Sequence, residues 1–186
     1  MNIRRLIGIL GLLLVNGCAT LSQEDCIRGD WFGLGITDGR NGQTMSRIDE
    51  HRKACFEYGI AVNDQAYMAG RDQGLREYCQ LGNAFRVGLN GEQYRHVCHP
   101  SIDGLFAHYH SAALAVHEDR AELDRLDSEI SRREYDLYDK KTSDKERARI
   151  RQDIRDLDRK RERLRDDLYY HERQLDDLRR EASSYH

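Results

Sequence analysis

Five cysteines and eight histidines are the side chains of this chain with the most chemistry to offer, and their spacing decides how much of it can be used. Cys18 stands eight residues before Cys26, and from there to Cys55, Cys79 and Cys98 the steps are 29, 24 and 19 residues. No Cys-x-x-Cys knuckle of the kind that grips zinc occurs. His96, His99, His108, His110 and His117 crowd one stretch, but no two of them stand four apart, the step that aims two imidazoles from one helical face at one ion. His51 lies beside Asp49 and Glu50, an acid/base pairing with no serine or cysteine nucleophile motif to serve. Asp166-Asp167 and Asp176-Asp177 sit in a dense run of both charges, which marks a solvated helix face rather than paired catalytic carboxylates. These residues predict no catalytic group, no metal site and no cofactor; the histidines read as surface residues and the cysteines as structural.

The N-terminus has to position Cys18. "MNIRR" is basic and "LIGILGLLLV" is an uncharged apolar core. That core is too short for a bilayer span, which needs about 20 apolar residues, and suits a secretory signal. Val15-Asn16-Gly17-Cys18 resembles a bacterial lipobox, where cleavage precedes a cysteine acylated on sulfur, although a residue smaller than Asn16 is usual. The competing reading is an ordinary signal cut elsewhere, with Cys18 a free thiol. Parity favours the lipid, because lipidation of Cys18 leaves Cys26, Cys55, Cys79 and Cys98 to pair. One acyl chain binds a membrane only marginally, so a durable anchor needs several. By analogy with such lipoproteins, Ala19 implies sorting to the outer membrane, facing the periplasm. The expectation is a signal peptide over residues 1–17, a lipidated tether over 18–22, and a membrane as the first partner.

Composition divides the remainder. From Cys18 to Leu114 there are 9 Lys/Arg against 12 Asp/Glu, whereas the 72 residues from Ala115 hold 19 and 21 with no Gly, Pro or Cys. The formal charge of −3 becomes −5 once Arg4 and Arg5 leave with the signal, so there is no basic footprint for nucleic acid. The first part predicts four helical stretches. Ser22 with Asp25, and Ser46 with Asp49, have capping-box spacing, and Gly59 stops the second stretch. Asn63 caps the third and Gly82 stops it; after a loop through "VGLNGEQYRHVC", Pro100 and Ser101 open the fourth. Gly35, Gly39 and Gly42, then Ala66, Gly70 and Gly74, fall on or near one helical face. An interior glycine costs about 0.5–1 kcal/mol relative to alanine, so these rows predict close helix approach in return. A membrane-spanning glycine zipper is opposed by Asp38, Arg40, Arg71 and Asp72 in the same stretches.

Four cysteines allow three connectivities. An up-and-down helix order puts Cys26 beside Cys55, and Cys79 where Cys98 precedes the fourth helix; it favours Cys26–Cys55 with Cys79–Cys98 over the other two. An oxidising compartment favours disulfides over zinc, and each bridge is worth about 2–4 kcal/mol to a small unit with few large apolar side chains. "EDCIRGDW", "DGRNG", "HRKAC", "AYMAGRDQGLREYC" and "YRHVC" together resemble a family of uncharacterised proteobacterial lipoproteins carrying one domain of unknown function, over about residues 22–110. The resemblance implies a lipoprotein with paired cysteines and brings no catalytic residue.

The tail carries a shape. Ile150, Ile154, Leu157, Arg161, Leu164, Leu168, His171, Leu175, Leu178 and Ala182 advance in steps of four and three, a heptad seam. Residues from Leu105 to Leu137 do likewise, and between the seams "KKTSDKE" places Ser143 and Glu146 as a capping box after a turn. Folding about that turn faces Leu137 with Ile150, Ile130 with Leu157, Leu123 with Leu164 and Ala112 with Leu175 in one constant register. The same register faces Arg133 with Ile154, Leu126 with Arg161, Asp119 with Leu168 and Val116 with His171, each polar residue against an apolar one. A single uninterrupted helix or a parallel dimer is the alternative. The fold expected is all-α: a small disulfide-linked helical domain over 23–100, then a long antiparallel coiled-coil helical hairpin over 101–186 turning near 142–143. The function expected is a noncatalytic interaction or scaffolding module of the cell envelope, meeting an envelope protein through the hairpin. A periplasmic metal- or small-ligand-binding lipoprotein is the alternative, and a hydrolytic enzyme the third.

Overall fold

A computed structural model describes residues 20–184. These form seven helices: α1 (Gln23–Arg28), α2 (Trp31–Arg40), α3 (Arg47–Phe56), α4 (Asp64–Tyr78), α5 (Leu81–Leu89), α6 (Pro100–Tyr138) and α7 (Asp144–Ser183). No strand occurs among the described residues, and the all-α architecture with a long C-terminal helix pair is the one expected. Cys18 and the signal-like segment lie outside the described residues.

Local chemistry explains the helix ends and corrects three expectations. Ser22 and Asp25 form the capping box that starts α1. The first stretch then breaks at Gly29, whose φ of +64° an L side chain seldom adopts, and Asp30 starts α2 by accepting from the Gly33 amide at 2.9 Å. Ser46 makes no side-chain cap; its hydroxyl pairs with that of Thr44 at 2.7 Å instead. Asn63 does cap α4, through the Ala66 amide at 3.0 Å. That stretch ends at Tyr78 rather than at Gly82, because Asn83 donates to the Tyr78 carbonyl at 2.7 Å and the chain turns through Cys79 and Gln80 into α5. Gly82 therefore lies inside a helix, and α5 runs on through "VGL" before turning at Gly91.

The glycine rows make the close approach that their cost demands. A Cβ added at Gly35 would lie 2.1 Å from the Tyr67 carbonyl oxygen, and one at Gly39 2.3 Å from that of Arg71. From the other side, Gly70 would strike the Phe32 oxygen at 2.1 Å and Gly74 that of Ile36 at 2.2 Å. The backbones of α2 and α4 touch without side chains between them.

Two cores result. Cys26, Trp31, Ile48, Cys55 and Tyr67 form the first, around the Cys26–Cys55 bridge. The second gathers Tyr78, Phe85, Val87, Phe106, Tyr109 and Val116 with Leu175 and Leu178 of α7, beside Cys79–Cys98. The favoured cysteine pairing is thus the one found, with Cα–Cα distances of 5.5 and 5.6 Å. The base of the hairpin belongs to the second core.

Helices α6 and α7 run antiparallel through a turn with neither Gly nor Pro. Arg147 supplies what the turn lacks, donating to the carbonyl of Leu137 in the last turn of α6 at 2.5 Å and to those of Asp139 and Thr142 in the connection at 2.7 and 3.1 Å. Ser143 caps α7 as its spacing predicted. The charged tips of the polar seam residues end on opposite charges, with the Nε atoms of Arg133 and Arg161 buried in the seam. Asp119 pairs with His171 at 2.6 Å, Arg161 with Asp127 at 3.2 Å, and Arg133 with Asp153 at 3.9 Å. Long side chains reach sideways to an opposite charge while the apolar positions keep the seam.

Candidate functional site

Three places hold the groups that can do chemistry or meet a partner. The first is built where α2, α3 and α4 converge on the start of the described chain. The α2–α4 glycine contact buries the neighbouring Asp38, and α3 brings His51, 1% exposed, against it. The Nε2–H of His51 donates to Asp38 Oδ2 at 2.8 Å, and Tyr67 OH donates to the same oxygen at 2.8 Å. Arg47 stands 3.9 Å from the other oxygen. On the far side of the imidazole, Nδ1 lies 3.0 Å from the Thr20 hydroxyl. Burial, and then the bond to Asp38, push the Tyr67 phenol above its ordinary range.

Threonine, histidine and aspartate in a line have the parts of a nucleophile, a base and an orienting acid. The surroundings do not complete the set. A cleft of about 260 Å³ beside the start of the described chain is lined by Leu21, Asp25, Arg28, Asp30, Trp31 and Leu34, and none of the three is in its lining. Tyr67 shares the carboxylate with the imidazole. The cluster is a buried polar network that fastens Thr20 onto α3, in which the buried Arg47 Nε has no hydrogen-bond partner, and replacing His51 or Tyr67 would strand a buried charge. Sequence had paired His51 with Asp49 or Glu50; the partner is thirteen residues back. The signal for it was an acid on the glycine face of α2, where only a paired carboxylate can be buried.

The second place is the histidine-rich stretch, which the fold disperses. His96, at φ +52°, shares Asp103 with Tyr94, at 3.0 and 2.5 Å. The Tyr94 bond, then His96, hold the Asp103 carboxyl below its ordinary range. His99 caps α6 by accepting from the Ser101 amide at 3.3 Å. His110 is buried, not on the surface as expected, and donates to the Glu92 carbonyl at 2.7 Å; His117 donates to that of Leu89 at 3.0 Å. His108 is exposed. Among the described residues no three His, Cys, Asp or Glu side chains are grouped to hold a metal ion, and no helix is long and apolar enough to cross a membrane.

The third place is the outer hairpin, beyond the second core. There Leu126, Ile130 and Ile150 are buried between the helices, while Tyr135, Tyr138, Tyr169 and Tyr170 stand exposed. Interhelical ion pairs stitch the two arms: Arg120–Glu172 at 2.6 Å, Lys160–Glu122 at 2.5 Å and Arg161–Asp127 at 3.2 Å. Bonds from Arg125, then Lys160, hold the Glu122 carboxyl at about 2.

A family model described as "Protein of unknown function (DUF2799)" matches residues 30–115, from the N-cap of α2 to the middle of α6. The match spans the glycine contact, the Asp38–His51–Tyr67 network and the Cys79–Cys98 bridge, and stops before the outer hairpin. It accords with the resemblance carried by the cysteine pattern. No curated protein and no solved structure matches the chain.

Proposed function

We propose that this protein is a lipid-anchored, noncatalytic interaction module of the bacterial cell envelope, held to the outer membrane by Cys18 and facing the periplasm, and that the outer hairpin is its protein-binding arm. The observation that carries this reading is the division of labour within α6 and α7. Their inner halves complete the second core through Phe106, Tyr109, Leu175 and Leu178. Their outer halves bury little, are stitched by charge pairs, and present exposed tyrosines. Tyrosine gives large contact area at low ordering cost, which suits a recognition surface. The lipobox-like tetrapeptide and the two intrachain disulfides, which leave Cys18 over, support the anchor.

The test is crosslinking in living cells with identification of the captured proteins. Residues 127–161, whose ends face each other through Arg161–Asp127, are replaced by a short Gly/Ser turn, which leaves Leu175 and Leu178 in place, and the exposed Tyr169 and Tyr170 that remain are changed to Ser. The shortened chain should fold, stay on the membrane and lose its crosslinks; crosslinks that all survive would refute the arm. Separately, Cys18→Ser should release the protein from membranes, and unchanged retention would refute the anchor.

A further inference from the structure

Of the large apolar side chains that the first core leaves in solvent, Phe56 at 82% and Ile27 at 67% are the most exposed, ahead of Met45, Phe32 and Tyr58. Phe56 and Ile27 follow directly on Cys55 and Cys26, which are bonded to each other with their Cα atoms 5.5 Å apart, so their own Cα atoms lie within about 13 Å of each other at the joined C-terminal ends of α1 and α3. Exposed apolar side chains grouped in this way mark a surface that is covered in use. Beside them, the exposed Lys53 lies one turn before Phe56, and Arg28 adjoins Ile27, paired with Asp25 at 3.5 Å; Glu24 and Glu57 are also exposed.

What covers the patch follows from the tether. Thr20 is held against His51, and Phe56 lies five residues further along the same helix, an axial rise of about 7–8 Å. Only two peptide steps separate Thr20 from Cys18, which reach about 7 Å at full extension. An anchored Cys18 therefore holds α3 close to the lipid surface with no slack to hang away from it, and the exposed Phe56 and Ile27 select the end that meets it. From this we infer that the α1–α3 end of the domain docks on the bilayer, with Phe56 and Ile27 seated in the interface and Lys53 and Arg28 among the phosphate groups. The inference rests on the anchor reading above and adds to it a second, noncovalent contact, of the kind that turns a tether into a fixed orientation.

The test uses the full chain, matured in cells and reconstituted into vesicles of phosphatidylethanolamine with a minority of phosphatidylglycerol. Phe56→Trp puts a reporter at an exposed position, read as the difference from the parent protein, whose one tryptophan, Trp31, is buried. In vesicles whose phospholipids are brominated near the headgroup, the reporter should shift to the blue and lose about half its emission, as an indole seated about 5–10 Å into the headgroup–acyl boundary would. An acylated protein whose reporter stays unquenched overturns the docking and leaves the anchor standing. An intact mass without acyl chains on Cys18 overturns the anchor, and with it the tether argument for docking.

Discussion

Gly70→Ala is the substitution that tests the α2–α4 contact most sharply. The added methyl would stand 2.1 Å from the Phe32 oxygen, 2.9 Å from its carbonyl carbon and 3.1 Å from the Ile36 nitrogen, all backbone atoms that no rotamer can move aside. Relief to ordinary contact requires α2 and α4 to part by about 1 Å, which forfeits a quarter to a half of each dispersion well across the crossing. Overpacking of this kind costs about 1–3 kcal/mol and sometimes more, while alanine returns about 0.5–1 kcal/mol of helix propensity. The net loss expected is about 0.5–2 kcal/mol, read as a lower urea midpoint with both disulfides intact. Gly104→Ala is the internal control, since nothing lies within 4 Å of its added methyl in α6; it should stabilise by about 0.5–1 kcal/mol. Gly35→Ala strikes the Tyr67 oxygen across the same crossing, so one parting of the helices admits both methyls, and the double variant should cost clearly less than the sum of the two. A Gly70→Ala protein as stable as the parent, or strictly additive costs, would refute the backbone contact.

The Cys79→Ala, Cys98→Ala protein, opening a bridge of 19-residue separation, should lose about 3 kcal/mol in urea unfolding, and an unmoved midpoint would count against the bridge. In the parent protein prepared under oxidising conditions, thiol labelling after denaturation without reductant should find none of Cys26, Cys55, Cys79 and Cys98 free; two reactive thiols would reject the pairing. Glu122 ionises at about 2 in the folded arm against an ordinary 4.5, so its bonds stabilise the arm above pH 4.5 and are lost as pH falls from there towards 2. Thermal unfolding should show that acid loss, and Glu122→Gln should flatten it; identical pH profiles would sink the assignment. Leu123→Cys with Leu164→Cys should crosslink within one monomer under oxidation, whereas bonds between chains alone would mean a parallel dimer.

What the sequence disclosed, and what it hid, depends on how far each interaction reaches along the chain. The hairpin seam was readable because Leu126, Ile130 and Ile150 recur at helical spacing and are buried between the two arms with no third element. The caps at Ser22, Asn63 and Ser143 act over three residues, and the glycine rows carry their own cost, which only close packing repays. Asp38 with His51 was hidden because the α2–α4 contact creates the burial that forces the pair together. The acid on the glycine face of α2 is a local mark for Asp38, but nothing local marks His51 as its partner. The polar seam was misread for a related reason: a heptad register fixes where Cβ atoms face, whereas Arg161 and His171 end several bonds further out and reach Asp127 and Asp119. The corner at Cys79 was missed because Gly82 offered a plausible stop, while the actual stop is made by Asn83 reaching back to Tyr78.

That corner is where the two cores become one body. Tyr78 carries the end of α4 into the second core, stacking on Phe106 with ring centroids 5.4 Å apart, and the turn at Gly42, φ +60°, runs so close that a Cβ there would lie 2.4 Å from its ring. Arg95 reaches back to Gln43 at 2.6 Å, and Arg71 of α4 donates to the Gln43 carbonyl at 2.7 Å, so the loop after α2 is gripped from both sides. Cys79–Cys98 closes the junction covalently just before α6 begins. Since α6 runs unbroken from that bridge to the hairpin turn, and α7 returns to pack Leu175 and Leu178 beside Tyr109, the arm has no hinge at its base. Swinging it would mean uncovering the second core or bending a continuous helix, and both cost more than the charge pairs of the outer arm can supply. The orientation of the arm is therefore set by whatever fixes the first core, through Tyr78, the Gln43 loop and one disulfide.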